Sequence, residues 1–339
     1  MNICENCFND LEIKKFIETT SQVNGVCGYC EVSSARTIDL NELLDFFSGF
    51  IDVFITNNEQ GIPLNELINR DWRIFSSDAH SDKLLNEILG IIPSKINSAD
   101  TPVSYIDEIV ECVDYWDILK EDVKWKRRFL TDSEAIKNLG WDTFFTPDAG
   151  LPKDKTLYRA RIHSSDNQDT YPLDKMGSPP KKRVTSGRAN PDGIPFLYLS
   201  ADYKTTLYET RVTYLDDVSI GSFKLRDVKE LILVDFNSSE SPFLQEDSIK
   251  EHVKYKLLKE KISLDLSKPI RRYDSQLEYL PTQFICEFIR YIKGADGIIF
   301  NSSLHKGGIN YVIFDSEKLE CIGVEKYQVT SVVIEGEKI

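Results

Sequence analysis

The first half of the chain carries apolar residues at helical spacing. Between residues 39 and 140 they recur three and four positions apart, which places them on one face of a helix. The first such set is Leu40, Leu43, Leu44, Phe47 and Ile51. Further helices are predicted around residues 84–89, 106–119 and 125–130, and prolines separate these segments. The pattern predicts a mainly helical N-terminal region.

The second half follows a different period. Short apolar runs, several of them alternating with polar residues, predict strands at residues 153–162, 194–199, 218–223, 231–236, 297–300 and 311–314. Helices are predicted at residues 202–211, 248–261 and 284–293. Because strands outnumber helices and do not alternate regularly with them, we predict an α+β fold for this half.

Length and charge refine this picture. A chain of 339 residues is too long for one ordinary core, and its 41% hydrophobic and 11% aromatic content is that of a globular protein. Residues 1–150 hold 13 Lys and Arg against 27 Asp and Glu, whereas residues 151–339 hold 28 of each. An acidic first half argues against nucleic acid as a partner, because phosphate neutralisation dominates that affinity.

The N-terminal sequence lacks the apolar segment of a signal peptide, and no stretch approaches 18 apolar residues. Seven cysteines, an odd number, point to a reducing compartment. We therefore expect a soluble cytoplasmic protein without a membrane partner.

Four of the cysteines form two C-x2-C pairs, Cys4 with Cys7 and Cys27 with Cys30. This spacing suits a tetrahedral zinc site in which each tight turn supplies two sulfurs. With four thiolate ligands no coordination position is open, so the predicted role of zinc is structural. The alternative is a set of four free or redox-active thiols.

An arginine and a histidine stand close together in the acidic half. Arg73 and His80 enclose the sequence RIFSSDAH. HEPN-type ribonucleases carry a similar Arg-x4–6-His motif that acts on RNA. Here an apolar residue, Ile74, follows the arginine and the surroundings are acidic, so we interpret the pair as an exposed helix-end arginine and a loop histidine rather than a nuclease site.

The most informative stretch is residues 186–211, SGRANPDGIPFLYLSADYKTTLYETR. A turn-rich loop containing Arg188 leads into a short apolar strand. Asp202 then has the position of a helix cap, and the helix it begins carries Glu209. An arginine and a carboxylate so placed can hold a phosphate on one side and a ribose or a developing cation on the other.

Several segments of the second half together resemble the RES domain, which is named for an Arg, a Glu and a Ser. The matching segments are Leu157-Tyr158-Arg159, Gly187-Arg188-Ala189-Asn190-Pro191-Asp192-Gly193, Tyr198-Leu199, Glu209, Tyr279-x-x-Thr282-Gln283, Gly297-Ile298-Ile299-Phe300-Asn301-Ser302 and Asn310-Tyr311-Val312-Ile313-Phe314. They occur in family order over about residues 150–325. The first half resembles, more weakly, the zinc-bearing HEPN-related domain that precedes some RES domains.

The resemblance implies an organisation and an activity. It suggests a zinc-binding knuckle at residues 1–38, a helical HEPN-like domain at residues 39–149, and a RES domain with an ADP-ribosyltransferase-like fold at residues 150–339. RES proteins are toxins of bacterial toxin–antitoxin pairs that consume NAD, by phosphorolysis or by moving ADP-ribose to a protein. NAD is thus the implied substrate, and a cognate antitoxin is a candidate partner.

The family's named residues fall on Arg159, Glu209 and Ser302, although Ser303 adjoins the last and the assignment could shift to it. A carboxylate such as Glu209 would stabilise the oxocarbenium-like cation formed when nicotinamide leaves. Arg159 and Arg188 can bind pyrophosphate oxygens, and Ser302 can add a hydroxyl donor. The other candidate substrate-binding residues are Asn190, Tyr198, Gln283 and Asn310. Of these, Tyr198 could stack on nicotinamide.

Each assignment has a structural alternative. Arg159 could be a surface cation, Glu209 could pair with Arg211 on a helix surface, Tyr198 could be a core residue and Gln283 could cap the following helix. The histidines at 163, 252 and 305 show no metal or triad pattern.

The sequence favours an NAD-degrading toxin. An ADP-ribosyltransferase acting on a specific protein and a non-catalytic NAD or ADP-ribose sensor are the alternatives. Residues 152–188 carry nine Lys or Arg against four Asp, including Lys181-Lys182-Arg183. This surplus modestly favours inorganic phosphate as the acceptor, unless the loop only steers NAD towards the site.

Overall fold

The computed structural model describes residues 1–76, 81–129, 131, 133–141, 143–164, 169–226, 230–238, 240–244, 249–269 and 276–333. The chain divides into two compact units. Unit 1 comprises Met1–Asp114 and Ser239–Leu257, and unit 2 comprises Tyr115–Ser238 and Leu258–Ile339. Within the described ranges, no helix combines the length and the apolar character needed to cross a membrane.

Unit 1 contains two small antiparallel sheets. The first, of order β1-β3-β2, is built from β1 (Asn2–Cys4), β2 (Val23–Gly25) and β3 (Ala35–Asp39). The second, of order β4-β6-β5, is built from β4 (Phe54–Thr56), β5 (Ile62–Pro63) and β6 (Pro102–Tyr105). The helical pattern of the sequence does not predict these strands, which are two to five residues long.

Helices make up much of the rest of unit 1. They are α1 (Leu11–Thr20), α2 (Leu44–Ile51), α3 (Leu64–Asp71), α4 (Ser81–Ile91) and the start of α5 (Asp107–Trp125). The side chain of Asp10 caps α1 by accepting from the backbone N–H groups of Glu12 and Ile13. The apolar face of α2 buries Phe46, Phe47 and Phe50 in the core of this unit.

The predicted helices of the first half are present, with one correction. Residues 106–119 and 125–130 were expected to form separate helices, but α5 runs without a break to Trp125, and residues 126–129 are not helical. The chain turns there because the N–H groups of Lys126 and Arg127 both bond to the carbonyl of Asp122. In the Arg73–His80 motif, Arg73 is exposed at the end of α3, and His80 lies outside the described residues.

Unit 2 is organised around one eight-stranded mixed sheet of order β14-β10-β8-β9-β13-β12-β11-β7. Its strands are β7 (Ala149–Pro152), β8 (Leu157–Ile162), β9 (Leu197–Ser200), β10 (Asp217–Leu225), β11 (Glu230–Asp235), β12 (Gly297–Asn301), β13 (Ile309–Ile313) and β14 (Leu319–Gln328). The β11–β12 pair is parallel and the other pairs are antiparallel. The large mixed sheet agrees with the α+β prediction.

Four helices accompany this sheet in the described part of unit 2, besides the later part of α5. They are α6 (Ser133–Asn138), α7 (Tyr203–Glu209), α8 (Ile249–Ser267), which enters unit 2 at Leu258, and α9 (Leu280–Tyr291). The strand predicted at 153–162 begins later, because residues 153–156 form the turn between β7 and β8 and only Leu157–Ile162 are extended. Helix α9 begins at Leu280 rather than at residue 284, so Gln283 lies inside the helix and is not its cap.

The order of strands brings distant parts of the chain together. Strand β9 lies between β8 and β13, and α7 follows β9 directly. The loop of residues 302–308 connects β12 to β13. Consequently β8, α7 and this loop, which are far apart in sequence, contribute side chains to one place beside the sheet.

Candidate active site and metal centre

A cavity of about 610 Å³ opens in unit 2 where these elements meet. Its lining residues are Tyr158, Arg159, Ala160, Ser186, Arg188, Tyr198, Leu199, Ser200, Thr206, Glu209, Thr210, Arg211, Pro269, Gln276, Tyr279, Phe300, Ser303, Leu304 and Asn310. The charged residues among them are three arginines and one glutamate. A volume of this size and a positive balance suit a small anionic ligand.

Glu209 lies at the end of α7, and one of its two carboxylate oxygens, Oε1, accepts hydrogen bonds from neighbouring side chains. Its Oε1 accepts a hydrogen bond from the Ser302 hydroxyl at 2.6 Å and another from the Asn310 amide at 2.7 Å. Within the described residues no hydrogen bond ends on Oε2. One carboxylate oxygen therefore fixes the group, and the other remains for a ligand.

A buried serine orients the amide of Asn310. Ser200, on β9, is paired in the sheet with Asn310, on β13. Its hydroxyl donates a hydrogen bond to Asn310 Oδ1 at 2.8 Å. Because Oδ1 accepts this bond, the Nδ2 group of Asn310 is directed to Glu209. Both Ser200 and Asn310 are buried.

Arg159 projects from β8 into the cavity. Its Nη1 is buried and has no hydrogen-bond partner among the described residues. Burial, together with the nearby charge of Arg161, lowers the pKa of Arg159 to about 10. Both effects would be relieved by an anion, because a negative group would supply the missing acceptor and offset the repulsion.

Arg188 reaches the cavity from the loop of residues 186–193. Its Nη1 donates to the backbone carbonyl of Asp265 at 3.1 Å, near the end of α8, and its own carbonyl accepts from the Thr282 hydroxyl at 2.6 Å. Burial lowers the pKa of Arg188, although Tyr279 and Glu209 oppose this effect. The guanidinium is thus fixed in place and electrostatically linked to Glu209.

The loop that carries Arg188 is held by side chains beneath it. The Tyr198 hydroxyl donates to Asn190 Oδ1 at 2.7 Å and accepts from the N–H of Ala189 at 3.0 Å. Gln283 Nε2 lies 2.7 Å from Ser186 Oγ, 2.8 Å from the Gly187 carbonyl and 3.0 Å from the Asn190 carbonyl.

Gly187 is required in this loop. A Cβ atom there would lie 2.7 Å from Asn190 Oδ1 and 2.8 Å from the Tyr198 hydroxyl. A side chain at this position would therefore separate the groups that hold the loop together.

Comparison with protein-family models gives a match to the RES domain over residues 156–332, which is just over half of the chain. The chain belongs to the RES domain family. A comparison with curated proteins gives no match. RES membership is consistent with an NAD-related, toxin-type domain and suggests an NAD-acting enzyme in general.

In this RES domain, most of the residues singled out from the sequence lie close together. Arg159, Arg188, Tyr198, Glu209 and Asn310 line the cavity. Ser302 is not among the lining residues but donates a hydrogen bond to Glu209, whereas its neighbour Ser303 lines the cavity.

Asn190 and Gln283 do not line the cavity. They are buried, and their side chains bind the Arg188 loop instead.

Ser200 and Arg211 line the cavity, but the sequence analysis assigns neither of them a role in the site. Ser200 carries no signal, because a serine that ends a short apolar strand is indistinguishable from a surface residue. Arg211, two positions after Glu209, has a φ of 52°, a left-handed conformation that is uncommon for a side chain of this size. Such backbone strain clusters at functional sites.

The basic segment of residues 181–183 lies elsewhere. Lys181, Lys182 and Arg183 form an exposed 3-10 turn and are not among the residues that line the cavity. The positive charge inside the cavity comes from Arg159, Arg188 and Arg211.

The four N-terminal cysteines of unit 1 form a compact cluster. Their Sγ atoms lie within 4.8 Å of one another, with Cys4 and Cys30 at 3.4 Å, Cys7 and Cys27 at 3.4 Å, and Cys4 and Cys7 at 4.0 Å. Sulfurs around a tetrahedral zinc would be roughly 3.8 Å apart for Zn–S bonds of about 2.3 Å. The donor set therefore fits a tetrahedral metal ion.

The thiols themselves favour a cation at this place. Burial and the neighbouring sulfurs raise the pKa of Cys4 to about 12 and also raise that of Cys7. Burial acts the same way on Cys27, but backbone N–H groups of Cys30 and Tyr29 lower its pKa to about 7. Four thiolates so close together repel one another, and a bound cation removes that repulsion.

Proposed function

We propose that this RES domain cleaves the bond between nicotinamide and ribose in NAD. The observation that carries the proposal is that Glu209, whose carboxylate is anchored through one oxygen, lines the same cavity as Arg159, whose buried Nη1 has no hydrogen-bond partner among the described residues. NAD has a group that complements each of these residues. Its pyrophosphate is an anion that a guanidinium can bind, and its ribose carries the cationic nicotinamide ring, which a carboxylate can face. The fold that we propose for the domain is ADP-ribosyltransferase-like.

In this proposal the chain's own residues divide the work. Arg159 and Arg188 bind the pyrophosphate, and Oε2 of Glu209 faces the ribose. The C–N bond breaks with its electron pair moving to the ring nitrogen, so neutral nicotinamide leaves and positive charge develops on the ribose. Glu209 stabilises that charge, and an acceptor then forms the new bond to the ribose carbon and loses its proton to solvent.

We propose inorganic phosphate as the acceptor. Three guanidinium groups line the cavity against one carboxylate, and a single pyrophosphate does not need all of them. Arg211, the third guanidinium group that lines the cavity, is the candidate for contacting a second anion, whereas the exposed Lys181-Lys182-Arg183 turn does not line the cavity. Water and a protein nucleophile are the other acceptors.

The wider role follows from NAD consumption. We propose that the protein inhibits bacterial growth unless it is restrained, with an antitoxin protein as the candidate restraint. We propose further that Cys4, Cys7, Cys27 and Cys30 bind one structural zinc within an N-terminal knuckle at residues 1–38. A helical HEPN-like domain at residues 39–149 would follow this knuckle, before the RES domain at residues 150–339.

The test follows free nicotinamide with the full-length protein, with and without inorganic phosphate, and identifies the sugar product by mass. Glu209→Gln should lower kcat at least about 100-fold, since removing one electrostatic stabiliser of a transition state has that effect. It should bind NAD with an affinity near that of the parent. Glu317→Gln, which changes an exposed glutamate in the 3-10 turn Ser316–Lys318, is the matched control and should leave the rate unchanged.

Each outcome separates two readings. Nicotinamide release without ADP-ribose attached to phosphate would make the enzyme a hydrolase, and labelled ADP-ribose on a protein band would make it a transferase. Binding of NAD without any release would make the domain a sensor and overturn the proposal. Growth arrest in bacteria by the parent but not by Glu209→Gln, with a fall in cellular NAD, tests the toxin role.

A further inference from the structure

The contact between Ser302 and Glu209 joins two separate elements. Glu209 ends α7, whereas Ser302 begins the loop of residues 302–308 between β12 and β13. Their hydrogen bond of 2.6 Å therefore depends on what holds this loop against the helix. His305, for which the sequence analysis predicts no role, makes that attachment.

The hydrogens in this attachment can be assigned. Asp202 Oδ1 accepts from the backbone N–H of Thr205 at 2.9 Å, and Asp202 Oδ2 accepts from the Thr205 hydroxyl at 2.6 Å. A threonine hydroxyl has a single hydrogen, and here it is given to the carboxylate. Since His305 Nδ1 lies 2.8 Å from the same Thr205 oxygen, Nδ1 must carry the hydrogen and donate it.

A second contact sets the plane of the imidazole. The His305 ring is stacked on the ring of Tyr208, with centroids 4.6 Å apart and an interplanar angle of 4°. Tyr208 immediately precedes Glu209 on α7. The histidine therefore contacts α7 at two residues, Thr205 and Tyr208, and Tyr208 is adjacent to the candidate catalytic carboxylate.

The same residue also directs Ser302. The backbone N–H of His305 donates to Ser302 Oγ at 3.0 Å, and that of Leu304 does so at 3.2 Å. Because the Ser302 oxygen accepts these bonds, its hydrogen is available for Glu209. His305 thus orients Ser302 through its backbone while its side chain holds the loop on α7.

Glycine at position 308 permits this close approach. A Cβ atom on Gly308 would lie 2.6 Å from Thr205 Oγ1 and 3.0 Å from His305 Nδ1. The backbone of the loop is closed by bonds from the Gly308 N–H to the His305 carbonyl at 2.9 Å and from the Ser302 N–H to the Gly308 carbonyl at 2.8 Å. The absence of a side chain at Gly308 therefore lets the loop pack closely against α7 beside the His305 imidazole.

We propose that His305 is a positioning residue that holds Ser302 against Glu209 by bonding to Thr205 and stacking on Tyr208. The kinetic effect that we expect rests on the proposed NAD cleavage, whereas the contacts of His305 do not depend on it. His305 is not among the residues that line the cavity, so it acts through Ser302 and not on the substrate.

The kinetic test compares substitutions at residue 305. His305→Ala should lower kcat about 10- to 100-fold, the effect of a small displacement in an active site, with little change in KM because Arg159 and Arg188 are untouched. His305→Asn, whose amide can donate from the position of Nδ1, should recover most of the rate. His305→Gln, whose amide matches Nε2, should not, and Lys306→Ala, an exposed change in the same loop, should behave as the parent.

A substitution of Thr205 and an NMR measurement of the His305 tautomer test the same attachment without changing the histidine. Thr205→Val removes the acceptor without changing the histidine and should lower kcat as His305→Ala does, whereas Thr205→Ser should not. Nitrogen NMR of the imidazole in the intact protein should show the hydrogen on Nδ1, whether or not the protein cleaves NAD. If the parent releases no nicotinamide, the proposed function fails, and the tautomer still decides whether the attachment exists.

Three results would overturn the positioning role. These are an unchanged kcat in a folded His305→Ala protein, equal recovery by Asn and Gln, and a hydrogen found on Nε2 of the neutral ring. Circular dichroism and thermal unfolding show which variants are folded.

Discussion

At the scale of single residues, the carboxylate of Glu209 is asymmetric. Oε1 receives both hydrogen bonds, from Ser302 and Asn310, so the residues that fix Glu209 are distinct from any group that Oε2 contacts. Substitutions of the two donors should consequently change the charge state or the orientation of Glu209 and not the binding of the pyrophosphate. This distinction can be tested through the pH dependence of the reaction.

We predict that Asn310→Asp makes the reaction depend on pH in a new way. The new carboxylate would replace an amide nitrogen that lies 2.7 Å from Oε1, and two carboxylates at that distance share a proton. The pKa of the pair rises, so Glu209 loses its charge at pH values where the parent keeps it. The acid limb of the kcat profile should therefore move to higher pH by about one unit or more.

A matched variant separates charge from position. Asn310→Leu removes the same donor without adding a carboxylate, so its kcat should be lower at every pH. Its acid limb should move to higher pH by less than that of Asn310→Asp, because it loses a hydrogen bond but gains no neighbouring charge. An Asn310→Asp profile that superimposes on the parent profile would contradict the assigned contact.

Individual residues of the site were predictable to different degrees. Arg159 and Glu209 could be found because they occur in family order with several other segments. Ser200 and His305 could not, because their roles depend on Asn310 and Thr205, which are about 100 residues away in sequence. The part played by Asn190 and Gln283 was also hidden, since an amide that binds backbone and one that binds a ligand look alike in sequence.

At the scale of elements, α7 joins the sheet to the site. The predicted cap is present, because Asp202 accepts from the N–H of Thr205. Burial alone would raise the pKa of Asp202, but the hydroxyl and N–H of Thr205 and the nearby His305 lower it. A carboxyl whose pKa is lower in the folded state stabilises the fold above its unfolded pKa and ceases to do so as the pH falls through the folded value.

Because the pKa of Asp202 is lowered in the folded protein, we predict a pH-dependent loss of stability in Asp202→Asn. At pH 7 the variant should be less stable than the parent by about 1 kcal/mol, because asparagine can still cap the helix but its hydrogen bonds no longer have a charged acceptor. The difference should shrink as the pH falls below the ordinary Asp value of 3.8, since the parent then loses the same charge. Urea unfolding at a series of pH values measures it.

The control for this series is Asp174→Asn, an exposed aspartate whose neighbour is an exposed lysine. It should show little difference from the parent at either end of the pH range. A gap between Asp202→Asn and the parent that stays constant down to pH 3 would show that the charge of Asp202 does not contribute.

Strand length explains part of what the sequence could predict, although the four-residue β9 was predicted and the five-residue β3 was not. Strands β8, β10, β11, β12 and β13 have five to nine residues, long enough to be recognised as continuous apolar or alternating runs. Strands β2, β4 and β5 have only two or three, so alternation cannot be recognised in them. The ten-residue β14 was missed for another reason: it lies at the edge of the sheet, and most of its side chains are at least partly exposed.

At the scale of the whole molecule, the acidic charge and the candidate site lie in different parts of the sequence. Residues 1–150 carry the net charge of −14, and residues 151–339 are neutral overall. The cavity-lining arginines all belong to the neutral part. An anionic substrate is therefore attracted by the local charge of Arg159, Arg188 and Arg211 and not by the net charge of the chain.

The cysteine cluster could be predicted completely as a group because metal ligands follow a strict spacing. The two C-x2-C pairs are 19 residues apart in sequence, and β1 and β2 both pair with β3 in the first sheet. Cys4 ends β1 and Cys7 follows it, and Cys27 and Cys30 follow β2. The spacing gave the ligands but not this sheet, because strands of three residues leave no pattern of their own.

The last prediction concerns the metal. Purified protein should contain close to one zinc per chain, and Cys4→Ser/Cys27→Ser should contain none, because one sulfur of each pair is lost. Zinc binding contributes directly to folding in small sites, so the double variant and chelator-treated protein should both have a lower Tm. Acid should act in the same direction as the chelator, since thiols must lose their protons to bind the metal. Cys321→Ser, outside the cluster, should retain both the zinc and the Tm; zinc retained by the double variant would place the metal elsewhere.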